Sequence, residues 1–241
     1  VFIHAGIADL SMWDAQLAAF ATDYQVLAYD LRGLGQSDAP QTDYSHYKDL
    51  HALLDALSME RVALVGTSMG GMTAIDFTLA YPERVSHLVP VCCLPVGYDF
   101  KSDPPPITKE INAAWEAGDM EKTNQLEVQA WIVGFGREAH EVSAAVLDKV
   151  LAMNGHVLER EKAHNGSHHW LEPNAIGRLS EINVPVQVIS GQYDRSELTT
   201  AWSELLPEIK DAKQAILSTG HLPNLEQPER FNEILREFLS Q

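Results

Sequence analysis

One hexapeptide carries the clearest chemical signal in the 241 residues: Gly66-Thr67-Ser68-Met69-Gly70-Gly71. A Gly-x-Ser-x-Gly run needs its glycines where a sharp strand-to-helix turn presses backbone against backbone, and such a turn lifts the serine hydroxyl clear of the chain. The plain alternative is a glycine-rich connection with an incidental serine. A serine is a weak nucleophile unless a base takes its proton, so a histidine oriented by a carboxylate is sought at the same edge. Gly191-Gln192-Tyr193-Asp194 and Gly220-His221 each follow a β-rich run, the place where α/β sites are built, and nominate Asp194 and His221. Asp99, in Gly97-Tyr98-Asp99, is a rival acid. Asp194 is preferred because it lies close to a strand end, which holds a carboxylate more firmly, whereas Asp99 leads into Pro104-Pro105-Pro106.

The elements that must position these groups alternate. Val1–His4, Tyr24–Asp30, Arg61–Gly66, Val85–Cys92, Val184–Ser190 and Lys213–Leu217 read as strands, bounded by Gly, Pro or Asp. Met12–Ala21, Tyr47–Leu57, Met69–Tyr81, Leu198–Ile209 and Pro228–Leu239 read as helices. Nearly all-apolar strands such as Val62–Val65 and Val186–Ile189 suit burial on both faces. The alternation therefore predicts an α/β chain with a doubly wound, mostly parallel sheet. It stops between about Leu94 and Ser180, where Ile107, Ile111, Ala114 and Trp115 share one helical face and Val142, Ala145, Val146, Lys149, Val150 and Met153 another, with only the lysine out of pattern. The expected organisation is a core of residues 1–94 and 181–241, with residues 95–180 as a helical insertion after the strand ending near Cys93.

Four spaced motifs carry a family resemblance. Besides the serine turn, they are His4-Ala5-Gly6-Ile7, Asp30-Leu31-Arg32-Gly33-Leu34-Gly35-Gln36-Ser37 and His221-Leu222-Pro223-Asn224-Leu225-Glu226-Gln227-Pro228. Together they resemble the α/β-hydrolase superfamily, in the branch of small esterases, 3-oxoadipate enol-lactonases and cofactor-free perhydrolases. The chain order Ser68, Asp194, His221 is the one found in that fold. The resemblance implies a catalytic triad of these three residues and a cap made of the insertion. It also implies an oxyanion hole from the Met69 N–H and an N–H of Gly6 or Ile7, the inserted Ala5 leaving that choice open. The chain begins at a strand such proteins reach after two earlier ones, so either a truncated chain or an unusually small sheet is expected.

The formal charge of −17 and the lack of any Lys/Arg stripe argue against nucleic acid and anionic membrane surfaces as partners. No apolar run approaches the roughly 18 residues that span a bilayer. The only cysteines, Cys92 and Cys93, are neighbours and cannot staple distant segments, so they are expected to pack a strand; a reducing, cytoplasmic location fits. His4 is expected to steady its loop, and Asp30, Arg32 and Asp38 to tie loops together. His156, His164, His168 and His169 match no metal-ligand spacing and are expected to be solvated residues of the insertion. Trp115, Trp131 and Phe135 are candidates for the pocket wall, Trp131 foremost.

These readings converge on a serine hydrolase acting on a small, largely apolar ester or lactone, without metal or organic cofactor. C–C bond hydrolysis, perhydrolysis or lyase chemistry by the same triad stays open, as does a small-ligand-binding protein on the same fold. Haloalkane dehalogenation is disfavoured, because that branch needs a carboxylate where Ser68 stands.

Overall fold

A computed structural model describes residues 1–161 and 164–241; of the expected insertion, residues 162 and 163 lie outside the described residues. Six parallel strands form one sheet: β1 (Phe2–Ile3), β2 (Ala28–Tyr29), β3 (Val62–Thr67), β4 (Val85–Val91), β5 (Val186–Gly191) and β6 (Ala212–Leu217), in the order β2-β1-β3-β4-β5-β6. The order runs outward in both directions from β1 and β3, so crossover helices cover both faces, as the doubly wound reading requires.

Two apolar clusters flank the sheet, and the period-two geometry of a strand sorts residues between them. Val62 and Leu64 of β3, Leu88 of β4 and Val186 and Val188 of β5 enter one cluster. Val65, Val89, Val91 and Ile189 enter the other. The first is closed by α2 (His46–Ala56) and α3 (Met69–Ala80), through Leu50, Leu54, Phe77 and Leu79. The second is closed by Phe20 of a helix spanning Asp14–Phe20 and by Phe231, Leu235 and Phe238 of Pro228–Leu239. Each fully buried Leu or Phe contributes about 1.5–3 kcal/mol of transfer free energy, so both faces of the sheet are firmly held.

Between β4 and β5 the chain forms α4 (Ile107–Glu116), α5 (Met120–Val128) and the long α6 (Ala144–Glu161). A π-turn over Gln129–Val133 directly follows α5. Val142 lies just ahead of α6, and the helix buries Val150, Met153, Val157 and Leu158, while Ala145 faces solvent rather than the expected side.

Three expected elements are shorter than their propensities imply, the first being Val1–His4, which forms a strand only at Phe2–Ile3. Tyr24–Asp30 is paired only at Ala28–Tyr29, because its neighbour β1 is itself two residues long. Leu198–Ile209 breaks into Ser196–Thr200, Trp202–Leu205 and a 3₁₀ turn at Leu206–Glu208. The reasons are local: Thr199 and Thr200 hydroxyls donate to Gly191 O and Ser196 O, and Pro207 begins the last turn. Among the described residues no helix is long and apolar enough to cross a membrane.

Candidate active site

Ser68 sits between the end of β3 and the start of α3 with φ 54° and ψ −117°, a strained backbone for a residue with a side chain. Its N–H donates to Val91 O at 2.8 Å, which ties the turn to β4. Gly66 and Gly70 make the turn possible. A Cβ on Gly66 would lie 2.2 Å from Gly70 O, and one on Gly70 would lie 2.3 Å from Ile3 O. No other residue fits either position without moving backbone.

The end of β5 supplies Asp194 and the end of β6 supplies His221, both buried. His221 Nδ1 lies 2.5 Å from Asp194 Oδ2, and the second carboxylate oxygen accepts the Arg195 N–H at 2.8 Å. The carboxylate thereby fixes the imidazole with Nδ1–H toward Asp194 and Nε2 free. Asp99 takes no part: its side chain is 90% exposed and pairs with Lys101 at 3.3 Å.

Ser68 and His221 line one cavity of about 330 Å³. No hydrogen bond joins the serine hydroxyl to the imidazole, and ligand-free sites commonly hold this pair loosely. The remaining wall is mostly apolar, with Leu94, Val96, Tyr98, Phe100, Trp131 and Trp170 prominent. Among the described residues its one arginine or lysine is Arg195, whose guanidinium stacks 3.9 Å from the Phe100 ring centre and pairs with Glu197 at 3.1 Å. Of the three expected aromatics, Trp131 lines this cavity, whereas Trp115 and Phe135 are absent from its wall. Trp170, Tyr98 and Phe100 carry no spacing that would have marked them.

At the mouth of α3 the Met69 N–H has no carbonyl within its own helix to bond, as in any first turn. Gly6 and Ile7 N–H groups make no backbone hydrogen bond, because the loop closes one residue later, from Ala8 N to Ala5 O at 3.1 Å. Gly6 lies beside Met69: a Cβ there would come 3.0 Å from Met69 Cε. Both loop donors thus remain candidates to face an oxyanion.

The supporting residues behave as loop ties. His4 is buried; Leu31 N–H donates to its Nε2 at 2.9 Å, so Nδ1 donates to Ala5 O at 2.8 Å. Burial lowers its pKa below the ordinary histidine range, keeping it neutral. Asp30 accepts the N–H groups of Leu10 and Gln36, Arg32 forks onto Asp49, and Asp38 O accepts the Gly33 N–H. Cys92 and Cys93 are buried at the end of β4, and burial, then the Asp194 charge, raises both thiols far above their usual range.

Among the described residues the four histidines of the insertion do not come together in one cluster. His156 and His169 are exposed, as expected. His164 and His168 are not: the His164 ring meets Gly33 O at 3.0 Å, and His168 packs against Tyr44, His46 and Trp170, because the segment after residue 163 folds back along residues 40–46. The one group of three metal-ligating side chains among the described residues is Cys92, Asp194 and His221, within 4.8 Å of one another. Two of these already hold each other, and the third is a protonated, buried thiol, a poor donor set for a cation.

The sequence profile of the alpha/beta hydrolase family matches residues 1–234. The chain belongs to that family. It is a hydrolase, and relatives of several specificities resemble it. A 2-hydroxy-6-oxononadienedioate/2-hydroxy-6-oxononatrienedioate hydrolase of Paraburkholderia phymatum is 31% identical over 231 residues, covering 92% of this chain and 79% of the relative. The 3-oxoadipate enol-lactonase 2 of Acinetobacter baylyi is 26% identical, covering 93% and 82%. Among solved structures, Est816, described as an N-acyl homoserine lactone degrading enzyme, superposes with a TM-score of 0.76 at 31% identity, over 98% of this chain and 91% of that one. An enol-lactonase from Burkholderia xenovorans LB400 shares the fold, with a TM-score of 0.79 at 24% identity over 100% and 90%.

Proposed function

We propose that the protein is a serine hydrolase that cleaves a small, largely apolar carboxylic ester or lactone through an acyl-enzyme. The observation that carries this reading is the 2.5 Å contact by which buried Asp194 holds His221, which lines one cavity together with Ser68 on its strained turn. Ser68 Oγ attacks the carbonyl carbon while His221 Nε2 takes its proton. The proton passes to the leaving alcohol, the C–O bond breaks, and water, deprotonated by the same nitrogen, releases the acid. Asp194 holds the tautomer and stabilises the imidazolium without accepting its proton. The Met69 N–H, with that of Gly6 or Ile7, meets the oxyanion, and the positive end of α3 favours the same charge.

Residues 95–180 serve as a cap, since Tyr98, Phe100, Trp131 and Trp170 from that stretch form much of the cavity wall. Their apolar faces suit hydrocarbon acyl or lactone groups. A diacid such as the one named for the P. phymatum relative suits the wall less well, because Arg195 already pairs with Glu197. That relative's keto-acid substrate nevertheless keeps C–C bond hydrolysis by the same triad as the second reading. A panel of aryl esters, lactones and β-diketones, run on the wild type and Ser68→Ala, separates the two. Ester or lactone turnover that Ser68→Ala abolishes supports the first reading; turnover confined to β-diketones moves it to the second. A fluorophosphonate probe that leaves no adduct on Ser68 argues against both.

A further inference from the structure

The triad loops and the cap meet at a buried ion pair that lies outside the substrate cavity, one residue behind its wall. Arg137, which follows the π-turn, forks onto Glu226, five residues after His221: Nη1 lies 2.8 Å from Oε2 and Nη2 lies 3.0 Å from Oε1. The side chains are 5% and 7% exposed, and neither lines the cavity of Ser68 and His221. Burying such a pair rarely adds net stability over apolar residues of similar volume. Its partners indicate what it holds instead.

Glu226 Oε1 also accepts the Gly220 N–H at 2.7 Å, and the next amide, His221 N–H, donates to Trp131 O at 2.9 Å. The two amides on either side of the Gly220 Cα are thus both anchored, which fixes the peptide plane on which the His221 Cα is mounted. The same guanidinium donates from Nη2 to Ile132 O at 2.5 Å and from Nε to Val133 O at 2.6 Å. These are the two carbonyls after Trp131, so Arg137 also fixes the carbonyl that receives His221. Its planar face lies 4.7 Å from the Tyr193 ring centre, immediately before Asp194. Tyr193 is itself tied to both neighbours: its carbonyl accepts the Phe135 N–H at 2.7 Å and its N–H donates to Thr219 O at 2.9 Å.

We infer that Arg137 and Glu226 are positioning residues: they lock the cap segment 131–137 to the loops bearing Asp194 and His221, and so hold the imidazole in line with Ser68. The inference rests on the triad reading above. Lysine at 137 would keep the charge but lose the fork that reaches Glu226 and two carbonyls together. Glutamine at 226 would keep one acceptor for the Gly220 N–H, but it would turn an NH2 donor toward Arg137 Nη1 and so lose one arm of the fork as well as the charge.

The test is steady-state hydrolysis of 4-nitrophenyl butyrate by four proteins: wild type, Arg137→Lys, Glu226→Gln and the paired Arg137→Met/Glu226→Leu, whose apolar side chains fill the same space. Misplacement of a catalytic group by about 1 Å can cost roughly a hundredfold. The paired variant is therefore expected to keep the wild-type far-UV spectrum, lose roughly 10–100-fold in kcat and hold KM within about threefold. Glu226→Gln keeps the Gly220 acceptor but leaves the buried guanidinium without its counter-charge, so a loss of kcat between those of the wild type and the paired variant, at unchanged KM, is expected. A folded paired variant with wild-type kcat, or one whose loss lies in KM alone, overturns the inference. Should the paired variant not fold, Arg137→Lys decides: reduced kcat at constant KM supports the lock, and unchanged kcat overturns it. Failure of the triad reading looks different, because the wild type would then give no fluorophosphonate adduct at Ser68.

Discussion

The imidazole of His221 lies against the indole of Trp131, ring centres 4.8 Å apart and planes inclined by 42°, while the His221 N–H donates to the carbonyl of the same tryptophan. One residue of the insertion thus meets both the backbone and the side chain of the proposed base, and it lines the cavity as well. The backbone bond survives any substitution at 131, whereas the ring contact and the wall do not. Trp131→Phe keeps an aromatic face beside the imidazole and enlarges the cavity. It should raise kcat/KM for longer acyl esters relative to acetate, with a small change in kcat for acetate itself. Trp131→Ala should slow every ester by about tenfold or more as well, since the imidazolium formed in the transition state loses a π-face worth ~1–2 kcal/mol when desolvated. A common factor across all chain lengths in both variants would make Trp131 a support for His221 and not a determinant of size.

The acid is tested by a pair of isosteric changes. Asp194→Asn leaves the shape of the site but presents His221 Nδ1 with an amide, which favours the wrong tautomer, and roughly a 10⁴-fold loss in kcat is expected. Asp99→Asn alters an exposed carboxylate paired only with Lys101 and should leave kcat within about twofold, since surface pairs contribute ~1 kcal/mol or less. Near-normal turnover in Asp194→Asn would remove the carboxylate from the mechanism.

Much of this site is readable in the chain because its parts are local. Gly66, Ser68 and Gly70 declare a turn within five residues, and Asp194 and His221 each follow a strand directly, where a loop has little freedom. The Arg137–Glu226 lock joins residues 89 apart, and no periodicity links an arginine beyond a π-turn to a glutamate in the turn after His221. Trp170 enters the cavity wall by a chain reversal that places His168 on His46, 122 residues away. Tyr24–Asp30 pairs over fewer residues than its composition implies for the opposite reason: β-propensity reports what a segment tolerates, and the two-residue β1 limits what it can pair with.

Asp76, wholly buried on α3, predicts a slope of stability with pH. One carboxylate oxygen accepts the Leu171 N–H at 2.9 Å, and the other has no partner. Burial pushes its pKa up to about 6, against an ordinary value near 3.8. The folded state therefore holds the proton more tightly than the unfolded chain. The contribution is fully present below about pH 4 and is lost as pH rises to about 6, amounting to ~1–3 kcal/mol. Asp76→Asn cannot titrate. Urea unfolding at pH 4 and pH 7 should show the wild type losing that amount relative to the variant, and parallel curves would place the titration elsewhere.

His46 should act in the opposite sense, and its effect should be visible at the cavity. The ring is 2% exposed, its Nδ1 has no partner, and it packs 4.5 Å from His168 and 5.1 Å from Tyr44 between ring centres. Burial first, and the His168 charge second, lower its pKa to about 3. The unfolded chain thus binds a proton near pH 6.5 that the folded chain refuses until about pH 3. Stability from this group is complete above pH 6.5 and falls as the medium is acidified toward pH 3, by up to ~1.4 kcal/mol per pH unit. The loss should begin locally, because Tyr44 pairs with His168 and His168 packs 4.3 Å from Trp170 of the cavity wall. His46→Leu keeps the buried volume without a titrating group. Between pH 6.5 and pH 4 the wild type should therefore lose thermal stability faster than His46→Leu. Its tryptophan emission should also shift to longer wavelength before the far-UV signal changes, as Trp170 meets water. Identical acid slopes in the two proteins would show that the clasp of residues 40–46 on 164–170 does not depend on a neutral His46.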